Sequence, residues 1–330
     1  MISFKKGEPK AVINGGKYDK KILYICDPSQ KCCENCNESC QYEPCCDECK
    51  GGECGNNMIK NDVYDMIDED YVRSLKKHMS RNDIQELNKS FRRQGLVDED
   101  LKEIYEEVMN KNEDLSKREF KIWDNGQIQQ IPKVNVTFRQ YICGPAGSGK
   151  SYYISNLLKT MRKINPKIKI YIFSDLSEDP VLDSIGDIIR FKLDEGLIKK
   201  KPIDPKVVSN SICVFDDIDS IQNKKVLDAV EKLRDSLLRT GRHYNASVIC
   251  SNHLCTNYKA TRIILNECGA ITIFPRSGSS DGIRYLLKKY AGLSKDQLDA
   301  IFQLPSRWVT IFKNADPVQY VIYEKGMYLL

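Results

Sequence analysis

The stretch "ICGPAGSGKS", residues 142–151, decides how the rest of the chain is read. Gly144, Pro145, Ala146, Gly147, Ser148, Gly149, Lys150 and Ser151 satisfy G-x-x-x-x-G-K-[ST] at every fixed position. Glycines in such a loop let successive main-chain N–H groups face a phosphate, while the lysine reaches the outer oxygens and the Ser hydroxyl is offered to Mg²⁺ at a helix N-terminus. The flanks agree. "VNVTFRQYIC" (134–143) is an apolar run leading into the turn, and Ile154, Leu157, Leu158 and Met161 follow at helical spacing, which marks one buried face. The expectation is a strand, a loop that holds the phosphates of ATP, and a helix.

Such a loop needs a second magnesium carboxylate on a neighbouring strand. "SICVFDD" (211–217) provides it: Ile212, Val214 and Phe215 bury the strand, and Asp216 is expected to emerge at its end and hold the metal through water. Asp217 is then the candidate to orient or deprotonate the attacking water. The helix of "KKVLDAVEKLRDSLLRTGRHYN" (224–245) carries an apolar stripe of Val226, Leu227, Val230, Leu233, Leu237 and Leu238, and Gly241 reads as its left-handed stop. Arg239 and Arg242 flank that stop, placed to point from one subunit's sheet edge into a neighbour's nucleotide; for one of them, complementing the helix C-terminus is reading enough. "ASVIC" (246–250) ends in Ser251, Asn252 and His253, polar side chains at the carboxyl edge where open α/β sheets bind ligands. His253 is the candidate sensor of the terminal phosphate.

Further runs, "IKIYIFSD", "DIIRFKL" and "GAITIF", have the continuous apolar character of covered parallel strands, and helices alternate with them, so the class is α/β. "RWVTIFK" and "QYVIYEKGMYLL" close the chain as strands with Gly326 as a turn.

At 330 residues the chain has room for a full catalytic domain and an accessory region. Its first twenty residues hold no signal-like apolar run, and no stretch approaches the roughly 18–20 apolar residues that span a membrane, so a soluble intracellular protein is expected. Residues 1–135 carry 22 Lys and Arg against 26 Asp and Glu, and residues 136–330 carry 29 against 20. The surplus in the second part permits a polyanionic partner. The basic run Lys199 to Lys201 reads as a solvated loop.

Nine of the fourteen cysteines fall between Cys26 and Cys54, in a segment with almost no aliphatic residues that cannot build an apolar core. Cys33-x₂-Cys36 and Cys46-x₂-Cys49 have the spacing of a small zinc site, whose metal would supply the missing folding energy. Cys26, Cys32, Cys40, Cys45 and Cys54 offer ligands for a second one. An oxidised or redox-active cluster and an unstructured segment with free thiols are the alternatives. The resulting division is a Cys-rich zinc module at 1–60, a charged helical segment at 61–130 and a P-loop ATPase domain at 131–330.

The order P-loop, "VFDD", helix, "RTGRHYN", "SVICSNH" resembles the FtsK/HerA superfamily of P-loop motor ATPases. Within it, "GRHYNASVICSNH", "TRIILNE" followed by "ITIFPRSGS", and the closing "PSRWVTIFKN" with "YEKGMYLL" look like the poxvirus-type DNA-packaging ATPases of large nucleocytoplasmic DNA viruses. The similarity spans about residues 134 to 330. It implies a RecA-like (ASCE) core with the P-loop strand central and the Asp216 strand beside it. It also implies a homo-oligomeric ring, commonly hexameric, that pulls double-stranded DNA through its pore, with the host cytoplasm or the virion as its place. The Cys-rich module lies outside the similarity, and its candidate partners are DNA, a capsid component or a terminal protein. Lys150 and Ser151 take the P-loop roles, Asp216 the metal role, and Arg239 or Arg242 the trans-acting arginine. Asp217 stands where most members outside this branch carry Glu, and His253 where the family usually has Gln. A helicase or repair motor of the same fold, and a nucleotide-dependent scaffold with little turnover, are the competing functions.

Overall fold

Strand β6 (Arg139–Cys143) feeds the glycine loop, and helix α1 (Lys150–Ile164) leaves it, as the sequence predicts. The computed structural model describes residues 2–4, 8–25, 118–131, 137–194, 204–313, 315 and 318–330. The Cys-rich zinc candidates, the helices expected at 61–117 and the Lys199–Lys201 run lie outside the described residues. The chain separates into two compact units, Met1–Glu8 with Leu23–Phe120 and Pro9–Ile22 with Lys121–Leu330. In the first, β1 (Ile2–Ser3) pairs antiparallel with β3 (Ile22–Ile25), Ile2 level with Ile25 and Ser3 with Tyr24, and Phe4 meets Phe120 of β4 (Glu119–Lys121) edge-on. Residues 9–22 and 121–130, which composition had assigned to the Cys-rich and helical segments, fall in the unit that holds the P-loop.

That second unit is built on a sheet. After β6 come β7 (Lys169–Ser174), β8 (Ile188–Lys192), β9 (Ser211–Asp216), β10 (Ala246–Asn252) and β11 (Ala270–Ile273). The chain closes with β12 (Val309–Phe312), β13 (Tyr320–Tyr323) and β14 (Gly326–Leu329). Their order is β14-β13-β12-β11-β6-β10-β9-β7-β8. Pairing is parallel from β11 to β8 and antiparallel from β11 to β14. β10 therefore lies between the P-loop strand and the Asp216 strand, which corrects the expectation that those two are neighbours. The turn between β13 and β14 falls on Glu324 and Lys325, and Gly326 opens the last strand instead of making the turn.

Alternate residues of each strand serve opposite faces, which is why these strands read as continuous apolar runs. Ile142, Ile172, Ile212, Val214 and Ile249 meet Ile154, Leu157, Leu158 and Met161 of α1 on one side. On the other, Tyr141, Phe173, Phe215, Val248 and Ile271 pack beneath helices α3 (Lys224–Thr240), α4 (Tyr258–Glu267), α5 (Ser280–Tyr290) and α6 (Lys295–Gln303). A one-turn helix, α2 (Pro180–Asp183), is capped by Asp179 and follows β7. Phe173 is stacked between Phe191 and Phe215 at 4.6 and 4.7 Å, an aromatic ladder across β8, β7 and β9.

Of the α3 stripe, Val226, Val230, Leu233, Leu237 and Leu238 are buried and Leu227 is partly so. Gly241 does end the helix, but not by the left-handed route: its φ is −54°, and the positive φ belongs to Asn245 at 51°. Glycine is needed at 241 because a Cβ there would lie 2.7 Å from the Ala246 carbonyl oxygen. Arg139 Nη1 reaches across to the last turn of α3, donating to Leu238 O at 2.7 Å and pairing with Glu267 at 2.9 Å.

Two strands ahead of the P-loop complete this unit. β2 (Glu8–Asn14) pairs antiparallel with β5 (Gln127–Gln130), in register Ala11 with Gln130, and Ile128 N–H donates to Glu324 O at 2.8 Å. Gln130 then enters a buried polar network with Gln140 of β6, Tyr153 of α1, Thr272 of β11 and Thr310 of β12. In low dielectric such a network holds its members in one arrangement, since each unmade bond is costly.

Candidate nucleotide site

Strand register brings the site together. Cys143 of β6 is level with Asn252 of β10, and Ser251 of β10 is level with Asp216 of β9. The glycine loop, the tip of β10 and the acidic tip of β9 thus stand on one carboxyl edge, where ligands of open parallel sheets bind.

Gly147 and Gly149 have φ of 75° and 107°, values that L side chains avoid. Gly144 needs its bare Cα for a different reason: a Cβ there would lie 2.8 Å from the ring of Phe274 and 2.7 Å from Ser148 Oγ. Phe274, just beyond β11 and 1% exposed, is the floor on which the loop rests. Gly144 N–H donates to Asn252 O at 3.2 Å. Among the described residues Ser148 Oγ and Asn252 Oδ1 are buried without a hydrogen-bond partner.

Lys150 is buried and its ammonium donates to Gly144 O at 2.9 Å and His253 Nδ1 at 3.2 Å, with Asp217 Oδ2 3.4 Å away. His253 Nε2 lies 3.1 Å from that same Asp217 oxygen. Because the ammonium can only donate, Nδ1 must accept, and the proton of a neutral imidazole sits on Nε2, directed at Asp217. His253 is thus a bridge between Lys150 and Asp217.

Asp216 does not emerge as the sequence suggested. It is 3% exposed and accepts from Ser251 Oγ at 2.6 Å. Burial pushes its carboxyl above the usual range and the charge of Asp217 adds to this, against the pull of the Ser251 hydrogen bond and Lys150. Asp217 is the partly exposed member, at φ 45°, with its N–H donating to Ser251 O at 3.1 Å. Asp219, on the exposed side of the turn, is also raised, by desolvation of its carboxyl and by Asp217.

The oxygen donors present suit magnesium. A buried carboxylate at Asp216 and the Ser151 hydroxyl are hard ligands, and Mg²⁺ ordinarily takes one or two carboxylates together with phosphate and water. Among the described residues no group of three or more His, Cys, Asp or Glu could hold a metal, and an ion bound in that manner needs none. Arg239 and Arg242 are exposed at the amino end of β10, the edge opposite the glycine loop. They do not join this chain's own site.

Sequence reasoning missed the role of Ser251 as the partner of Asp216, the Phe274 floor, and Arg307, whose Nη2 would lie 3.5 Å from a Cβ on Gly149. Each depends on which strands are neighbours. Beside the loop, a cavity of about 270 Å³ is lined by Gln129, Tyr152, Asn156, Arg307, Trp308 and Glu324, among others.

No protein-family model matches the chain. Over 200 residues it is 38% identical to uncharacterized protein V3 of Sputnik virophage, a match covering 59% of this chain and 79% of V3. The chain belongs to the V3 family. Solved structures resemble this V3-family chain more remotely. The genome packaging NTPase B204 of Sulfolobus turreted icosahedral virus 2, in complex with AMPPCP, is 16% identical, covering 56% of this chain and 97% of B204 at a TM-score of 0.40. The pCW3 conjugation coupling protein TcpA is 15% identical, covering 62% of this chain and 65% of TcpA at a TM-score of 0.41. Among the described residues of the V3-family chain, no helix is long and apolar enough to cross a membrane.

Proposed function

We propose that this chain is an ATPase that drives double-stranded DNA into a viral capsid. The observation that carries the ATPase reading is the meeting of Lys150, Asp216 and Asp217 at one sheet edge beside a complete glycine loop. The loop amides and Lys150 bind the phosphates; Ser151 and Asp216 would hold Mg²⁺, which when bound neutralises charge between the β- and γ-phosphates. Asp217 orients the attacking water and takes its proton as the oxygen bonds to the γ-phosphorus and the bond to the β-phosphate oxygen breaks. His253, donating to Asp217 from Nε2, fixes the direction of that carboxylate.

The DNA half of the proposal is supported by the excess of Lys and Arg in residues 136–330 and by the motif order that resembles packaging motors. Arg239 and Arg242, on the far edge, are proposed as arginines that serve a neighbouring subunit's nucleotide in a ring. Cys33, Cys36, Cys46 and Cys49 are proposed as zinc ligands of a module that docks a capsid or terminal protein, with the assembling virion or the host cytoplasm as the setting. The ATPase domain is proposed to include residues 131–330.

The deciding experiment is ATP hydrolysis by the full chain with and without long double-stranded DNA, at low and moderate salt, beside Lys150→Ala. DNA-stimulated turnover that disappears in Lys150→Ala is expected. Nucleotide binding with no stimulated turnover would replace the motor by a nucleotide-dependent scaffold, and strand separation on a forked substrate would replace packaging by helicase action.

A further inference from the structure

Arg307 stands just before β12, on the strand edge that carries the glycine loop, because β12 runs antiparallel to β11 and Val309 is level with Ile273. Its guanidinium overhangs the last glycine of the loop: a Cβ on Gly149 would lie 3.5 Å from Nη2. The backbone beneath it is pinned from several sides. Arg307 N–H donates to Glu324 Oε2 at 2.8 Å, Ser306 Oγ donates to Trp308 O at 2.5 Å, and Glu324 N–H donates to Ser306 Oγ at 3.1 Å. Trp308 packs edge-on against Tyr153 at 4.8 Å, and Tyr153 is fixed in the buried polar network.

Glu324 Oε2 thus accepts from the Arg307 main chain and lies 3.4 Å from Ser306 Oγ, and the Arg307 guanidinium makes no hydrogen bond or ion pair with any described residue. An exposed arginine on a loop held this firmly loses little freedom when its fork of donors closes on an oxyanion. Lys150 approaches the loop from the side of Asp217 and His253, and Arg307 from the side of β12.

We propose that Arg307 is a same-chain phosphate ligand, closing over the phosphates of the nucleotide held by the glycine loop, opposite Lys150. The assignment rests on the ATPase reading. It concerns binding by a single subunit and so differs in kind from an arginine lent by a neighbour.

The test is calorimetric titration of the full chain and of Arg307→Ala and Arg307→Lys with ADP and ATP in Mg²⁺, with a short duplex DNA titrated separately. Loss of a charge-assisted hydrogen-bonded ligand is expected to weaken ADP and ATP by about tenfold to a hundredfold. Arg307→Lys is expected to recover part of that, as a point charge without the fork. The melting temperature without nucleotide should be little changed, since the side chain makes no hydrogen bond or ion pair to a described residue that would be lost. Equal nucleotide affinity in wild type and Arg307→Ala, or weakened DNA binding with nucleotide affinity unchanged, overturns the assignment and leaves the ATPase reading standing. Wild-type protein that binds no nucleotide overturns both.

Discussion

Ser251 Oγ donates to Asp216 Oδ1 at 2.6 Å, across two parallel strands whose register sets these residues level. The bond offsets only part of the cost of burying the carboxylate, whose pKa remains raised by desolvation. The folded state therefore binds the Asp216 proton more tightly than the unfolded state, and ionisation there costs stability as pH rises. Asp216→Asn is expected to be at least as stable as wild type at pH 7. Its advantage should grow as pH rises through the ordinary Asp range near ~4 and level off above the raised folded value. Hydrolysis should be lost. Thermal melts of both proteins across that range check this, and a variant less stable than wild type at neutral pH would contradict it.

Asp217→Asn isolates the carboxylate from its backbone. Asparagine tolerates the left-handed conformation that Asp217 adopts at φ 45° nearly as well as aspartate does, so the fold should survive. As the base, Asp217 is worth about 10²- to 10⁴-fold in turnover. The expected result is a fall of that size in single-turnover hydrolysis with ADP affinity within a few-fold of wild type. His253→Ala, which removes the bridge from Lys150 to Asp217, should lower turnover by less. If Asp217→Asn hydrolyses ATP at the wild-type rate, another group is the base.

Tyr153→Phe tests the buried network between β5 and the P-loop helix. The hydroxyl donates to Gln130 at 2.9 Å, accepts from Gln140 at 3.0 Å and bonds Thr310 at 2.8 Å. Its removal leaves buried amide and hydroxyl groups short of partners, at about 1–3 kcal/mol. For a domain of this size that corresponds to a drop in melting temperature of several degrees, on the order of 2–4 °C per kcal/mol. Combining it with Gln130→Ala should cost less than the sum of the two single changes, and additivity would mean the groups act independently.

Gly241→Ala distinguishes the two explanations for that glycine. At a left-handed stop, alanine would suffer from its φ; at φ −54° it suffers only from the Ala246 carbonyl 2.7 Å from its Cβ. A loss of roughly 1–3 kcal/mol from overpacking is expected in chemical denaturation. Asn245→Gly, where the positive φ does lie, should be neutral or stabilising, and the opposite pattern would restore the left-handed reading of Gly241.

The runs that became β7 to β13 were legible because a strand covered on both faces must be apolar at successive positions, and α1 because its buried residues keep helical spacing. Sheet order was not. Nothing local to "ASVIC" says that it inserts between β6 and β9, since the residues it pairs with stand far away in the chain. The burial of Asp216 followed from the same insertion, which brings Ser251 over it. β5 escaped notice because "QIQQ" looks polar; Gln130 is nonetheless buried, its amide satisfied by Gln140 and Tyr153. Arg307 was readable only as part of a closing strand until the antiparallel return of β12 set it over Gly149.

The insertion of β10 makes three consecutive residues answer to three different elements. Ser251 holds the acid of β9, Asn252 holds the first glycine of the loop, and His253 ties the loop's lysine to Asp217. A slip of that strand by a single residue would turn the Ser251 and His253 side chains to the wrong faces of the sheet and carry the Asn252 carbonyl out of register with Gly144 at the same moment. The site therefore has one setting screw: it is assembled whole or not at all, and no half-built version can hold the phosphate side while losing the acid side.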